Sequence, residues 1–178
     1  AEMEITRKQG GQGLAPWRVF WDPESEAQWV TMRTLDLDSL EADGVQPERF
    51  LTAMLKEARR NKARTLVIDM RGADGRDLAA AELVFASIAK EPFRVVQGMS
   101  ARTPATDQLP VPGMPQEHLD ALRLQFVPGP GGSSHLRPDD ARLQHLPPIK
   151  RAFQGKVYIV CDGATRDAAA ALVMMAKR

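Results

Sequence analysis

Two short apolar runs constrain the fold of this chain most strongly, because each is followed by a glycine-containing turn and then by a helical pattern. The runs occupy 65–70 (TLVIDM) and 153–161 (FQGKVYIVC). An apolar run without strict alternation is typical of a strand that is buried on both faces of a parallel sheet. The sequence therefore predicts two buried, parallel strands whose carboxyl ends carry the turns 69–75 and 162–167.

The remaining periodic segments favour an α/β layer architecture with a mostly parallel sheet. Aromatic and β-branched residues at 17–21 and 28–35 predict an N-terminal β-hairpin, and a further strand is predicted at 93–97. From apolar residues at three- and four-residue steps, helices are predicted at 47–61, 78–89 and 165–178. The fold class expected from the residues is thus α/β.

The segment 103–148 differs in character, because it holds most of the thirteen prolines of the chain. It is interpreted as a Pro-rich, loop-rich insertion with short helices at 116–123 and 138–145. Residues 1–16 are polar and rich in glycine, which predicts a flexible lead. We expect 17–178 to form a single α/β domain that contains this insertion.

Composition excludes several classes of function. The formal net charge is +1 and no basic patch with interleaved aromatic residues is present, so nucleic acid is not an expected partner. The single Cys161 makes no internal disulfide, no Cys/His cluster has metal-site spacing, and no cofactor is expected. No run is apolar enough for a transmembrane segment, and the Ala1-Glu2 start also suits a mature protein whose signal sequence has been removed.

The two turns are the expected site, because open α/β sheets bind ligands at the carboxyl ends of their strands. Gly72, Asp74 and Arg76 belong to the first turn and are predicted to form a binding turn. Backbone N–H groups at a glycine turn and at a helix N-terminus are suited to stabilising an oxyanion, as acyl transfer requires.

Specific motifs carry a family resemblance. TLVIDMRGADG at 65–75 resembles the LIxDLRGNGGG element of the tail-specific, or C-terminal processing, serine peptidases. FQGKVYIV at 153–160 and TRDAA at 165–169 are similar to that family's F-x-GKVYVL strand and T-x-S-A-A-E nucleophile turn. The resemblance extends from about Trp29 to Arg178, and it implies a crotonase-like core with an exported, periplasmic or cell-envelope location, although a cytoplasmic one stays open.

The resemblance also implies which chemistry is missing. Asp167 stands at the position of the family's nucleophilic serine, and a carboxylate offers no hydroxyl for acyl transfer. Gly75 retains the position of an oxyanion-hole amide, with Ala168 at the helix start as the second. The first turn departs from the family pattern, and the lysine base of lysine-dependent members would lie beyond the last residue. The chain is therefore interpreted as a degenerate member of the family or as a fragment.

Each candidate residue also has an ordinary structural role that it is expected to play. Thr165 is expected to cap the last helix, with a substitute nucleophile as its alternative role, and Asp167 to complement the helix dipole. Cys161 is expected to be inert packing, and Asp69 to pair with Arg71. Asp74 and Arg76 are expected to make surface contacts. Solvated loop positions are predicted for His118, His135 and His145, and a mobile loop tip for 131–135 (GGSSH).

Apolar residues leave a further choice open. Met174 and Met175 are expected in the core. The three tryptophans Trp17, Trp21 and Trp29 either pack inward or mark an exposed partner surface.

Three functions remain open at this level. The leading hypothesis is a catalytically degenerate relative of the tail-specific peptidases that binds a peptide or a protein. The alternative is an active serine-type endopeptidase whose nucleophile or base lies elsewhere in the sequence or beyond it. A third hypothesis is a structural domain of a larger envelope protein. The oligomeric state is left open, because edge strands are able to pair with another chain.

Overall fold

The computed structural model describes residues 15–101 and 115–177. They fall into two compact units, the first within Ala1–Phe93 and Pro147–Arg178 and the second within Arg94–Leu146. The predicted lead lies outside the described residues except at its last two positions, as do part of the predicted insertion and the last residue of the predicted C-terminal helix. The second unit takes up most of the predicted insertion, and the single domain over 17–178 stays a prediction.

The regular elements follow one another with short connections. The first unit contributes all of them except β4, α4, β5 and β6, which belong to the second. In chain order they are β1 (Trp17–Asp22), β2 (Ala27–Met32), α1 (Leu37–Ala42), α2 (Pro47–Arg60), β3 (Thr65–Asp69), α3 (Leu78–Ala86), β4 (Ser100–Ala101), α4 (Gln116–Gln125), β5 (Phe126–Pro128), β6 (Ser134–Leu136), β7 (Lys156–Val160) and α5 (Asp167–Ala176).

The first unit is built on a four-stranded sheet with the order β1-β2-β3-β7. β1 and β2 form the predicted antiparallel hairpin, whereas β2, β3 and β7 run parallel to one another. The chain is therefore a mixed α/β protein with a mostly parallel sheet, as predicted. β3 is central, and its residues Leu66, Val67 and Ile68 are all buried, as the apolar run indicated.

The helices of the first unit cover one face of this sheet. The connections from β2 to β3 and from β3 to β7 proceed in the same direction across the sheet, so right-handed crossovers place α2 and α3 on the same face. On that face Trp17 of β1 makes an edge-to-face contact with Phe50 of α2, with ring centroids 5.3 Å apart. α3 packs against both α2 and α5, so α5 belongs to the same helix layer.

α1 is a short helix that periodicity did not predict. Its signal is local, because the Asp36 carboxylate accepts a hydrogen bond from the Ser39 N–H at 2.9 Å and so caps the helix. This bond is the largest of the interactions that lower the pKa of Asp36. A helix of six residues contains too few turns to display an apolar period, and only Leu40 is buried.

The strand predicted at 93–97 does not form, and that prediction is wrong. Pro92 lies directly before this segment and has no N–H for a sheet ladder. Phe93 instead packs edge-to-face against Phe85 of α3, with ring centroids 4.7 Å apart. Apart from an isolated bridge at Phe93, the segment forms no strand, and its first residue packs on α3.

β7 forms as predicted, but its expected burial is wrong. Among the described residues it pairs only with β3, so it stands at the edge of the sheet. Lys156 and Tyr158 are exposed and the remaining residues of the strand are half-buried. The apolar run of β7 is similar to that of β3, and only the sheet order distinguishes a central strand from an edge strand.

The second unit contains a small antiparallel sheet with the order β4-β6-β5. The helix α4 leads directly into β5, and a short 3₁₀ turn at Pro130–Gly132 connects β5 to β6. A second 3₁₀ turn, Ala141–Leu143, occupies part of the helix predicted at 138–145. The predicted helix at 116–123 corresponds to α4.

Candidate functional site

The two predicted turns are neighbours in space. They follow β3 and β7, which pair in parallel with Asp69 opposite Val160. The ladder continues one step beyond the strands, because the Met70 N–H donates to the Val160 carbonyl at 2.8 Å. Both turns therefore leave the sheet at the same edge, as expected for the carboxyl ends of parallel strands.

Asp162 joins the two turns. Its Oδ1 accepts hydrogen bonds from the Gly72 N–H at 2.9 Å and from the Ala164 N–H at 3.1 Å. The Gly72 bond is the largest influence that holds the pKa of Asp162 below its ordinary value. Sequence reasoning did not single out Asp162, although an aspartate followed by glycine after a strand is a common turn signal.

Thr165 does not cap α5, so that prediction is wrong. Its hydroxyl donates to the Met70 carbonyl at 2.9 Å and accepts from the Asp162 N–H at 3.1 Å. The N-cap is Arg166, whose side chain makes no capping hydrogen bond. The hydroxyl of Thr165 thus connects the turns, and it also lies 3.1 Å from Oδ1 of Asp162.

Backbone amides at the start of α5 also donate hydrogen bonds to the first turn. The Arg166 N–H donates to the Ala73 carbonyl at 3.0 Å, and the Ala168 N–H donates to the Gly75 carbonyl at 2.8 Å. In this conformation the Ala168 amide, one of the two predicted oxyanion donors, is already hydrogen-bonded to the segment that carries the other. Oxyanion binding by Gly75 and Ala168 stays a prediction that requires the bond between these residues to open.

Asp167 occupies an unusual backbone conformation. Its φ is +55°, in the left-handed region where residues other than glycine are uncommon. The side chain is 65% exposed, and its Oδ2 lies 3.9 Å from Nε of Arg166. It also lies in the first turn of α5, where a negative charge complements the helix dipole, as predicted. The position that resembles a nucleophile turn thus presents a carboxylate to solvent from a strained backbone.

The ion pair predicted between Asp69 and Arg71 is present and is bidentate. Nε of Arg71 lies 3.0 Å from Asp69 Oδ1, and Nη2 lies 2.9 Å from Oδ2. Arg33 approaches the same carboxylate at 3.5 Å and also donates to the Arg71 carbonyl. The hydrogen bonds from the Arg71 side chain contribute most to lowering the pKa of Asp69 to about 2, although burial opposes this shift.

Asp74 and Arg76 make the surface contacts that were predicted for them. Asp74 Oδ2 accepts from Nη2 of Arg166 at 3.2 Å, which adds a bond between the two turns. Arg76 lies 2.8 Å from Asp36 and 2.9 Å from Asp38, so it ties the first turn to α1. The exposure of the Arg76 side chain makes these ion pairs weak contributors to stability.

Cys161 is exposed, so its predicted role as buried packing is wrong. The reason is the edge position of β7, which leaves the residue after the strand uncovered. Of the methionines at the end of α5, Met175 is buried as predicted, whereas Met174 is 57% exposed and contradicts the prediction.

A serine and a histidine meet in the second unit. Oγ of Ser133 lies 2.8 Å from Nε2 of His135, and the same hydroxyl donates to the Pro130 carbonyl at 2.7 Å. The His135 ring packs so closely on Gly129 that a Cβ added there would lie 1.8 Å from its Cδ2. The solvated loop position predicted for His135 is wrong, because this residue is half-buried on β6, and the sequence did not predict its pairing with Ser133.

The other two histidines, His145 and His118, are not part of this serine–histidine pair. His145 is exposed and contacts the guanidinium of Arg94, whose Nε lies 3.0 Å from His145 Nε2. This agrees with a solvated loop position. His118 lies on α4. Within 15–101 and 115–177, no group of three or more His, Cys, Asp or Glu residues is placed to hold a metal ion.

The sheet face opposite the helices carries an apolar row. Phe20, Trp29, Val67 and Tyr158 stand opposite one another on β1, β2, β3 and β7. Phe20 and Trp29 stack with ring centroids 6.0 Å apart, and Phe20 is 48% and Tyr158 55% exposed. Of the three tryptophans, Trp17 packs in the core, while Trp21 and Trp29 are half-buried.

Comparisons with known proteins assign no family. The sequence matches no protein-family model, and a search of curated proteins finds no match. In the part of the chain that the structure describes, no helix combines the length and hydropathy needed to cross a bilayer.

Proposed function

We propose that this chain is a catalytically inactive relative of the tail-specific serine peptidases, with a crotonase-like core, that binds a peptide or a protein. The observation that carries the proposal is the state of Asp167. A carboxylate occupies the position that resembles the nucleophile, and it does so on a strained, exposed turn that is hydrogen-bonded to the first turn. A positive φ is uncommon for residues other than glycine, and here it coincides with the position that resembles the nucleophile, so we take this turn to be a remnant of a catalytic one.

The hydrogen bonding of the two turns supports inactivity. The shorter contact of the Thr165 hydroxyl, at 2.9 Å, is with the Met70 carbonyl, and the Asp162 carboxylate lies 3.1 Å from it. The hydrogen bond from the Gly72 amide holds the pKa of Asp162 below its ordinary value, which makes this carboxylate a weak base. The amide of Ala168 faces the Gly75 carbonyl. An acyl-transfer site needs a hydroxyl beside a base and N–H groups that are free to meet the developing oxyanion. In this conformation Thr165 has only a weak base beside its hydroxyl, and the amide of Ala168 is not free.

The apolar row supports a binding role. A sheet made mostly of parallel strands is usually covered on both faces, and here one face presents Phe20 and Tyr158 to solvent. The two exposed members stand on the outer strands β1 and β7, with half-buried Trp29 and buried Val67 between them. Exposed aromatic residues are enriched in protein and peptide interaction surfaces. A periplasmic or cell-envelope location is proposed on the family resemblance alone.

Covalent labelling tests inactivity. We expect wild type neither to react with a fluorophosphonate probe nor to cleave a quenched, unstructured peptide library, because a carboxylate replaces the nucleophile. Asp167→Ser returns a hydroxyl to the same turn but not a base, so it is expected to gain at most weak labelling, with Asp167→Asn as the matched control that gains none. Labelling or cleavage by wild type would contradict the proposal.

The alternative, an active serine hydrolase, rests on the contact between Ser133 and His135. A serine hydroxyl 2.8 Å from an imidazole is the arrangement that base-activated nucleophiles use. Opposed to it is the bond from the Ser133 hydroxyl to Pro130, which directs the proton away from the ring. If wild type is labelled and Ser133→Ala abolishes the label, the alternative replaces the first proposal.

Peptide binding is tested on the apolar row. Phe20→Ser is expected to weaken binding of a fluorescein-labelled, unstructured peptide pool about tenfold, because it removes an exposed aromatic ring from the row. Fluorescence anisotropy provides the measurement. The control is Leu124→Ser, which removes a side chain that is 77% exposed in the second unit and should leave binding unchanged. Equal effects of the two variants would show that peptides bind nonspecifically.

A further inference from the structure

We infer that the side of the first unit formed by β7 and α5 is a self-association surface, through which two copies of this chain pair β7 with β7 in antiparallel orientation. Among the residues that the structure describes, β7 is the outermost strand of the sheet on this side and α5 the outermost helix of the helix layer. This inference goes beyond the proposed function and does not depend on what the two turns bind.

The backbone of β7 offers unpaired groups on that side. The Lys156 N–H donates to the Arg64 carbonyl, and the Val160 carbonyl accepts from the Met70 N–H. In a parallel ladder, alternate residues direct both backbone groups to the same neighbour. The even-numbered residues of β7 thus face β3, and the N–H and C=O groups of Val157 and Ile159 face away from the sheet.

β7 lacks the features that protect sheet edges. Proteins shield an edge with proline, a bulge, charges or a covering segment. The strand KVYIV contains no proline, and its register with β3 is continuous over all five residues. Lys156, at its first position, is its only charged residue. Such a strand is a template for another strand of β-branched and aromatic residues.

The helix α5 likewise carries apolar side chains that are incompletely buried. α5 has the sequence DAAAALVMMA and is apolar on every side after Asp167, a pattern that is typical of a helix buried all round. Nevertheless Met174 is 57% exposed, and Ala170, Ala171 and Val173 are only half-buried. One side of the helix therefore lacks the cover that its composition indicates.

The charges at the two ends of β7 favour a second copy of this chain as the partner, and they favour one register of the two paired strands. β7 begins with Lys156, and Asp162 follows its last residue by two positions. An antiparallel pair centred on Ile159 places each Lys156 opposite the partner's Asp162, so a basic start meets an acidic end twice. The hydrogen bonds of Asp162 to the turns use Oδ1, and a carboxylate has a second oxygen for this contact.

The same register makes a geometric prediction. Val157 stands opposite the partner's Cys161, both residues direct their backbone groups across the edge, and both side chains lie on the same face. Residues paired in this way have Cα atoms about 5.5 Å apart, which suits a disulfide. The two native Cys161 residues lie four positions out of register, roughly 13 Å apart, which excludes a disulfide between them.

The experiment combines sedimentation with crosslinking of the whole chain. Under reducing conditions, wild type is expected to show a monomer–dimer equilibrium between about 1 and 100 µM. Lys156→Glu is expected to weaken the dimer at least tenfold, because it faces the partner's Asp162 with a like charge. Lys56→Glu, the same change at an exposed position of α2, should have no effect.

Crosslinking then tests the register. On mild oxidation Val157→Cys is expected to form covalent dimers, whereas wild type is not, and neither is Tyr158→Cys, whose side chain lies on the opposite face from Cys161. Circular dichroism establishes that each variant is folded. A monomer at all concentrations, or a dimer that Val157→Cys does not crosslink, would overturn the inference, and neither result bears on the inactivity of the turns.

Discussion

Gly75→Ala is expected to lower the free energy of unfolding of the first unit by about 3 kcal/mol or more, a large fraction of the roughly 5–15 kcal/mol that is typical of a domain. Gly75 has a φ of +122°, a conformation that L side chains rarely adopt. A Cβ at this position would lie 2.3 Å from the carbonyl carbon and 2.5 Å from the nitrogen of Leu35. Both are backbone atoms, so no side-chain rotation relieves the contact.

The neighbouring hydrogen bonds prevent the backbone from moving aside. The Leu35 N–H donates to the Asp74 carbonyl at 2.7 Å, and Thr34 and Asp74 form a parallel bridge. On the other side, the Gly75 carbonyl accepts from Ala168 at 2.8 Å. Relief of the clash would therefore require breaking the contact of the first turn with the end of β2 or with α5.

Two other glycines provide matched controls, measured by urea denaturation alongside Gly75→Ala. Gly72 has a φ of +67°, but a Cβ added there would have no atom within 4 Å, so Gly72→Ala should cost only about 1 kcal/mol of backbone strain. Gly163 has neither the strained angle nor a close atom, and Gly163→Ala should change stability by less than about 0.5 kcal/mol. If Gly75→Ala costs no more than Gly72→Ala, close packing on Leu35 does not restrict this position.

The sequence predicts the elements whose signal is local and repeated. The hairpin of β1 and β2 follows from aromatic and β-branched residues on both sides of a turn, and α2 follows from five apolar residues at helical spacing. β3 follows from an unbroken apolar run. In α2 and β3 the apolar side chains that form the pattern are the ones that the structure buries, whereas Phe20 of the hairpin is 48% exposed.

Properties that depend on sheet order escape such reasoning. The runs of β3 and β7 are alike, yet β3 is central and β7 is an edge strand, because neighbours in a sheet are fixed by long-range pairing. The exposure of Cys161 and Tyr158 is a consequence of this position. Likewise α1 is held by the cap of Asp36 and its pairing with Arg76, neither of which produces a periodic pattern.

In the candidate site, too, some features follow from the sequence and others depend on long-range contacts. Its location at two turns follows from the rule that parallel strands expose their carboxyl ends together, and the ion pair of Asp69 with Arg71 follows from their proximity in sequence. The hydrogen bonds from Thr165 to Met70 and from Ala168 to Gly75 each join residues that are more than 90 positions apart in the sequence. No local sequence pattern indicates these bonds, and because of them the Thr165 hydroxyl and the Ala168 amide already have hydrogen-bond partners.

Asp69→Asn is expected to lower the free energy of unfolding by about 2 kcal/mol at neutral pH. The carboxylate is 8% exposed and accepts a bidentate pair from Arg71, with Arg33 nearby. A fall of its pKa from 3.8 to about 2 on folding corresponds to a stabilisation of about 2 kcal/mol once the group is ionised in both states. Asparagine keeps the shape of the side chain but removes the charge.

The dependence on pH separates this effect from a loss of packing. Because the pKa of folded Asp69 is depressed, its contribution is fully present above the unfolded value near 3.8 and is lost as the pH falls towards 2. The difference in stability between wild type and Asp69→Asn should therefore be constant from pH 7 to about 5 and shrink between pH 4 and 2. Urea denaturation over this range provides the measurement, with Asp167→Asn, which removes an exposed carboxylate, as the control. A difference that stays constant down to pH 2 would mean that shape, and not the charge shared with Arg71, is what Asp69 contributes to the first turn.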